Sequence, residues 1–455
     1  MNILYVSTLC SDKLIKELFD AGYKPIQAIQ KFNKLLVSGL VENGCDVYAL
    51  TEIPKTVGPK FLKRKRETEN GVNYSYSRKI DIKLFYNLYM FLSGFFLTLI
   101  WGLNLKKRSG NKKGLEDDKV NGNEGVNGSE RVNKHKKGLI YEKDNLNGNI
   151  SNNNRQTNNN RRANNETVAI LDVLQTEFCS GALLSCKLLN IKAVAVVTDL
   201  PGLPGMLAGT RRTAIHRFVE KVISRYANSF DAYILLTEQM NEVVNQKGRP
   251  FMIMEGLVDA GMTDVNPAIS SNGRKIVIYA GGLYEEYGIK YLVDGFKMLD
   301  DSSAELHLFG HGAMVGDIEK VMKEDNRIHF YGIVHNSKVV EAELQATLLV
   351  NPRPTVEDFT KYSFPSKNME YMVSGTPVLT TMLPGMPREY HEYVYLLEDE
   401  SAEGVYQVLK KLLTETPAEE LKMKGQRAKQ FVLENKNNLF QSKRVIDFIE
   451  NISER

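Results

Sequence analysis

The chain has 455 residues, 42% hydrophobic and 25% charged, which excludes a globally disordered or collagen-like polymer and fits two or three globular domains. The net charge of +4 comes from one tract: residues 106–165 hold 14 Lys/Arg against 7 Asp/Glu, so the remainder is slightly acidic and no nucleic-acid partner is expected. The four cysteines (Cys10, Cys45, Cys179, Cys186) form neither a CxxC pair nor a Cys/His cluster, which argues against a structural metal or a disulfide framework and fits a reducing cytoplasm.

The first segment, MNILYVSTLC, lacks the layout of a signal peptide and reads as a strand. Residues 25–41 form a helix, with Ile29, Phe32, Leu36 and Leu40 on one face, and DVYALT is the next strand. Residues 84–105 are an uncharged 22-residue stretch flanked by Arg78, Lys79 and Lys83 before it and Lys106, Lys107 and Arg108 after it. Three readings fit: a helix in the membrane interface with the basic tract drawn to anionic lipid, a buried core helix, or a span. A span would put strands of one sheet on opposite sides of a bilayer. The Asn-, Gly- and Lys-rich tract 106–165 has almost no apolar periodicity and is expected to be a disordered insert, whose composition alone assigns it no partner.

Strand and helix patterns resume with VAILDV, a helix over 179–189, AVAVVTD, a helix over 214–226 and DAYILLT. A second series follows: KIVIYAGG, helix 289–299, AELHLFG, helix 314–323, RIHFYG, helix 337–345, TLLVNP, helix 366–374 and TPVLTT. Strands alternating with helices imply parallel sheets of βαβ units. The expected fold is therefore α/β, with two doubly wound Rossmann-like domains facing across a cleft. Their expected limits are 1–262 and 263–436, with a C-terminal helix in 437–455 crossing back to the first. Ligands in such sheets bind at the carboxyl ends of the strands.

Residues able to carry chemistry concentrate there. Gly281 and Gly282 close the first strand of the second series, and Gly310, His311 and Gly312 close the next; such turns let a phosphate approach backbone amides. In NPRPTVEDFTKYSFPSKNMEYMVSGTPV, a strand ends at Arg353 and a helix starts near Ser366, a plausible N-cap. That helix start is an anion site to which Lys367 adds a full charge, and Glu370 stands one turn further in, placed to accept ribose hydroxyls. Each has an ordinary alternative: a tight turn for the glycines, a solvated helix lysine for Lys367, a dipole-stabilising acid for Glu370. In the first domain Asp199, after Thr198, is placed either to orient an acceptor hydroxyl or to cap the turn before Pro201. Lys24 and Gln30 lie near the first strand's carboxyl end, facing the same cleft.

FPSKNMEYMVSGTPV, the Gly-Gly turn, FGHG and EGLVD resemble the donor half of the family 4 retaining glycosyltransferases, and AGYKPIQAIQKFNKLLVSGL and AVVTDLPG resemble its acceptor half. The resemblance covers most of the chain outside the insert and is closest to the bacterial exopolysaccharide and surface-polysaccharide branch. It implies the GT-B fold and transfer of a hexose from a nucleotide-sugar to a saccharide or lipid-linked acceptor. The cysteines and the interfacial reading of residues 84–105 together lead to the expectation of a cytoplasmic enzyme, peripheral on the inner face of the plasma membrane. Glu370 matches the second Glu of the family's Glu-x7-Glu pattern, and Tyr362 stands at the first. Ser363, Phe364 and Ser366 match the loop that meets the donor sugar; Pro365 there has no amide. Gly282 and Tyr287 stand where the family often has Arg and Lys for the diphosphate, which leaves Lys367 and Arg353 to supply that charge. No Asp-x-Asp occurs, so neither an essential metal nor an organic cofactor is expected. The departures keep open a degenerate, non-catalytic glycan- or lipid-binding protein of the same fold; an epimerase or a phosphorylase finds no motif here.

Overall fold

The computed structural model describes residues 1–21, 27–53, 66–77, 85–120, 167–200, 214–264 and 273–453. The first domain contains, in chain order, β1 (Asn2–Ser7), α1 (Asp12–Asp20), α2 (Gln27–Glu42), β2 (Asp46–Thr51), β3 (Arg66–Glu69), β4 (Val72–Tyr76) and α3 (Tyr86–Val120). It continues with β5 (Thr167–Asp172), α4 (Thr176–Leu189), β6 (Lys192–Val197), α5 (Ala214–Ala227), β7 (Ala232–Leu235), α6 (Met240–Val244) and β8 (Phe251–Ile253). The second contains β9 (Lys275–Gly282), α7 (Ile289–Lys297), β10 (Ala304–His311), α8 (Val315–Glu324), β11 (Ile328–Gly332), α9 (Asn336–Gln345) and β12 (Leu348–Asn351). After these come α10 (Ser366–Ser374), β13 (Val378–Thr381), β14 (Tyr395–Leu397), α11 (Ala402–Lys410), α12 (Ala418–Asn435) and α13 (Asn438–Ser453).

The first sheet runs β3-β4-β2-β1-β5-β6-β7-β8, parallel except for β3 at its edge, and the second runs β11-β10-β9-β12-β13-β14, all parallel. Strands buried on both faces are near-continuous apolar runs, as TVAILD and KAVAVV are. Helix ends follow local chemistry: Asn190 takes the left-handed conformation after α4 (φ 55°) and Gly375 after α10 (φ 82°). The winding direction switches between β1 and β5 in the first sheet and between β9 and β12 in the second. Those switch points open crevices for ligands at the strands' carboxyl ends.

Two crossings join the domains, and they run side by side. Val258 N donates to Lys436 O (3.0 Å) and Asn438 N to Val258 O (2.9 Å). Lys436 is buried between Glu255 and Glu389, and Tyr390 Oη also donates to Glu255, at 2.7 Å. Beyond this knot α13 packs on α2 of the first domain. Val445, Ile446 and Ile449 share an apolar core with Leu36 and Leu40, and Ser442 Oγ donates to Leu36 O at 3.1 Å. Gly39 permits that approach, since a methyl group there would lie 2.2 Å from Asn438 O.

Helix α3 runs on through Val120, into the tract expected to be disordered; extending a packed helix costs far less than nucleating one. Residues 121–166 lie outside the described residues. One side of α3 is locked to α4: a methyl on Gly94 would meet Phe178 O at 2.0 Å and one on Gly181 would meet Phe91 O at 2.0 Å. Ser185 Oγ donates to Phe95 O at 2.7 Å, and Tyr86 and Met90 join the core beneath. The other side is a stripe of Leu88, Leu92, Phe96, Ile100 and Leu103, each 39–57% exposed. By length and composition Tyr86–Lys107 is long enough to cross a membrane, yet the helix is packed along one side and bare along the other.

Candidate active site

The second sheet's switch point builds a cradle from glycines. Gly310 pairs with Gly281, and His311 with Gly282, at the ends of β10 and β9. Gly310 has φ 129°, and a methyl there would lie 1.8 Å from Gly281 O, so that position admits no side chain without moving a strand. Two tyrosines brace the turn: Tyr279 Oη donates to Gly282 O (2.8 Å), and Ala280 N donates to Tyr371 Oη (2.9 Å). Gly312 backs onto Leu283 O, and His311 is exposed at the rim.

One cation reaches this cradle, and a second stands behind its aromatic wall. Lys367, in the first turn of α10, lays its Nζ against Gly281, where an added methyl would come within 2.2 Å of it. It forms no ion pair among the described residues, and its Nζ lies 5.8 Å from the Tyr279 ring centre. Burial pushes its ammonium below the ordinary lysine range, with Arg353 adding to the effect and Glu370 opposing it. Arg353, just after β12, is clamped between Tyr287 (4.6 Å) and Phe359 (4.9 Å) and donates to Ser363 Oγ at 3.3 Å. Tyr287 therefore contributes an aromatic wall for a cation delivered from another strand. Gly282 leaves room for that wall, since a methyl there would press on Tyr287 and Tyr284.

Helix α10 begins one residue earlier than a Ser366 cap would have it. Pro365 is the N-cap, Ser366 is the first helical residue, and Asn368 N donates to Pro365 O at 3.0 Å. Proline's fixed φ suits this entry to the helix. Phe364 is buried against Tyr390 and serves as packing, while Ser366 is exposed in the cleft. Asn351 Nδ2 donates to Asn368 Oδ1 at 2.7 Å, fixing α10 to the end of β12.

A cavity of about 620 Å³ lies over the cradle, lined by Gly281, Gly310, Val334, Val339, Lys367 and Glu370 among others. A smaller one of about 250 Å³ opens toward the first domain, with Thr198, Asp199 and Phe364 in its wall. Lys31, Ser366 and Glu370 line both. Asp199, at the end of β6, opens on the cleft and accepts from Leu200 N at 2.8 Å. The surrounding walls desolvate it and raise its carboxyl above the usual range, an effect that the Leu200 amide and Arg353 partly offset. Gln30 does not face the cleft. Its Oε1 accepts from Cys10 N at 2.9 Å and its Nε2 donates to Thr8 O at 2.5 Å, so both ends of its amide brace the loop after β1. Lys24 lies outside the described residues.

Two site residues carried no sequence signal. Lys31, next to Gln30, reaches Glu370 across the cleft at 2.6 Å. Glu343, on α9, is 4% exposed in the cavity wall, and burial together with Glu370 pushes its carboxyl up to about 8. Only its place on a helix flanking the cradle could have singled it out.

Residues 274–415 match the family model of the glycosyl transferases group 1. The second domain thus carries a glycosyltransferase group 1 domain. No curated protein matches the chain. Among solved structures, OtsA (7% identity, TM-score 0.59) is covered over 99% of its chain and 98% of this one. Sucrose-phosphate synthase from Thermosynechococcus elongatus (14% identity, TM-score 0.57) is covered over 100% of its chain and 99% of this one. Anabaena HepE in complex with UDP (11% identity, TM-score 0.56) shows the same coverage as the synthase. At such identities the likeness is one of fold, and the fold is GT-B.

Proposed function

We propose that the protein is a retaining glycosyltransferase of the family 4 kind. It moves a hexose from a nucleotide-sugar to a saccharide or lipid-linked saccharide during polysaccharide assembly. The observation that carries this reading is Lys367 seated on the glycine cradle at the second sheet's switch point, with Arg353 held beside it by Tyr287. That arrangement suits a diphosphate leaving group. UDP in the complex of HepE, a neighbour of the same fold, agrees with a nucleotide there.

In this mechanism the base lies against Val334 and Val339 and the ribose hydroxyls donate to Glu370. The diphosphate rests over Gly281 and Gly310. As the bond from the anomeric carbon to the diphosphate oxygen breaks, charge grows on that oxygen. Lys367 and Arg353, already fixed in place, stabilise that charge without reorganising. The acceptor hydroxyl, oriented by Asp199, forms the new bond to the anomeric carbon on the face the diphosphate leaves, and its proton passes to the departing diphosphate oxygen. No Asp-x-Asp pair is present to bridge a metal to the diphosphate, so the two side-chain cations carry that load.

Membrane-surface attachment on the cytoplasmic side belongs to the same reading. The stripe from Leu88 to Leu103 lies along a helix held rigidly by α4, and Lys106 and Lys107 are exposed at its end. An apolar face with basic residues beside it fits an anionic lipid interface and brings the cleft to lipid-linked acceptors.

The test is thermal stability of the purified protein with UDP, GDP, CMP and their sugars, repeated with Glu370→Ala. Ligand at about 100 times its Kd adds about 2.7 kcal/mol. Stabilisation by one nucleotide class, lost in the variant, is expected. No stabilisation by any of them would favour a degenerate binding protein.

A further inference from the structure

The second sheet carries a polar cluster remote from the cleft. Glu305 and His307 lie two residues apart on β10 and therefore face one side of the sheet. His329 on β11 is the direct cross-strand partner of His307. The same side holds apolar core under α9 further in, from Ile276, Ile278 and Phe309. β11 is the edge strand of the sheet.

The side chains are turned toward one another. Glu305 Oε2 lies 3.0 Å from His307 Nε2 and 3.8 Å from His329 Nε2, and the three ligand atoms lie within 4.8 Å of one another. In a tetrahedral site with bonds of about 2.0–2.1 Å, neighbouring ligand atoms stand about 3.3 Å apart. The observed separations bracket that value, so small rotations close the set on one ion. Two of the three ligands have their second polar atom engaged. Arg274 holds the other carboxylate oxygen of Glu305, and Tyr331 Oη lies 3.4 Å from His307 Nδ1. Tyr331 is itself stacked on Phe309 at 4.7 Å. Such outer partners fix tautomer and ring orientation in metal sites.

We infer that Glu305, His307 and His329 form a zinc site that pins the edge strand β11 to β10. Two imidazoles and a carboxylate are a ligand set for Zn2+ rather than for Mg2+ or Ca2+, which take oxygen. With three protein ligands the fourth tetrahedral position falls to water, and the site stands apart from the cleft: His307 lies four residues, about 13 Å along the strand, before His311 at the rim.

The experiment uses full-length protein with any affinity tag removed, stripped with chelator and titrated with ZnCl2, MgCl2 and CoCl2. One equivalent of Zn2+ is expected to bind with micromolar or tighter affinity and to raise Tm by about 5 °C at saturation. Mg2+ should do neither, and Co2+ should give the visible absorption of a tetrahedral site. His307→Gln/His329→Gln should abolish the stoichiometric binding, and Tyr331→Phe should weaken it roughly tenfold. The far-ultraviolet circular dichroism spectrum and a cooperative melt of the double variant serve as its folding control. A wild-type protein that takes up no stoichiometric zinc overturns the inference. So does a folded double variant that binds zinc like the wild type.

Discussion

Lys31 Nζ of the first domain lies 2.6 Å from Glu370 Oε1 of the second, between the two cavities of the cleft. The carboxylate suited to a ribose is thus already engaged by a lysine of the facing domain. Both partners are substantially exposed, at 46% and 38%, so the bond is worth about 0–1 kcal/mol and a nucleotide can displace it.

Lys31→Met should therefore tighten nucleotide binding, by up to about fivefold if the whole bond is lost on binding. Calorimetric titration with the stabilising nucleotide measures it. Weaker binding would instead make Lys31 a direct contact of the donor.

Lys367→Ala should lower kcat about 100- to 1,000-fold with a smaller change in donor KM, because the charge acts mainly on the departing diphosphate. Lys367→Arg should not restore the rate: Nζ is seated against Gly281, and a planar guanidinium does not fit that contact. Full turnover by Lys367→Ala would remove the lysine from the mechanism.

Glu343 should make stability depend on pH. Its folded pKa of about 8 lies above the ordinary value of 4.5, so the native state holds a proton that the unfolded chain releases. Stability from this group is full below about pH 4.5 and is lost as pH rises through about 8. Glu343→Gln keeps the neutral form and should gain up to about 4 kcal/mol at pH 8 and about 1 kcal/mol at pH 5. Thermal melts at the two pH values decide it, and equal gains at both would place the carboxyl elsewhere.

Leu92→Glu/Phe96→Glu should abolish co-sedimentation with vesicles containing anionic lipid while leaving transfer to a soluble acceptor intact. Both side chains point away from α4, and the double variant should fold normally. Wild-type protein that stays in the supernatant would dismiss the membrane role of α3.

Turnover should persist when Mg2+ and Mn2+ are omitted, since the proposed mechanism gives neutralisation of the leaving group to Lys367 and Arg353. A rate restored only by adding either ion would give that task to a metal.

Gln30 and Lys31 show where local reading stops. A helix turns about 100° per residue, so the two neighbours face different ways. Nothing in the spacing says which faces the cleft, and the loop after β1 claims Gln30. Tyr287 is a similar case: its cation-holding role exists only because Arg353 arrives from β12. The zinc ligands were equally silent, since Glu305 and His307 meet His329 only through strand pairing.

Sequence by itself determined the alternation of strands and helices, the glycine turns after β9 and β10, and the span of α10 from Ser366 to Ser374. These are local properties, set by periodicity, turn chemistry and the reach of a few residues. The tertiary structure decided which side of α3 stays bare, how α13 returns to α2, and that Lys31 meets Glu370 across 339 positions of chain. Those contacts depend on how two separately folded sheets are set against each other, and no local pattern of residues carries that placement.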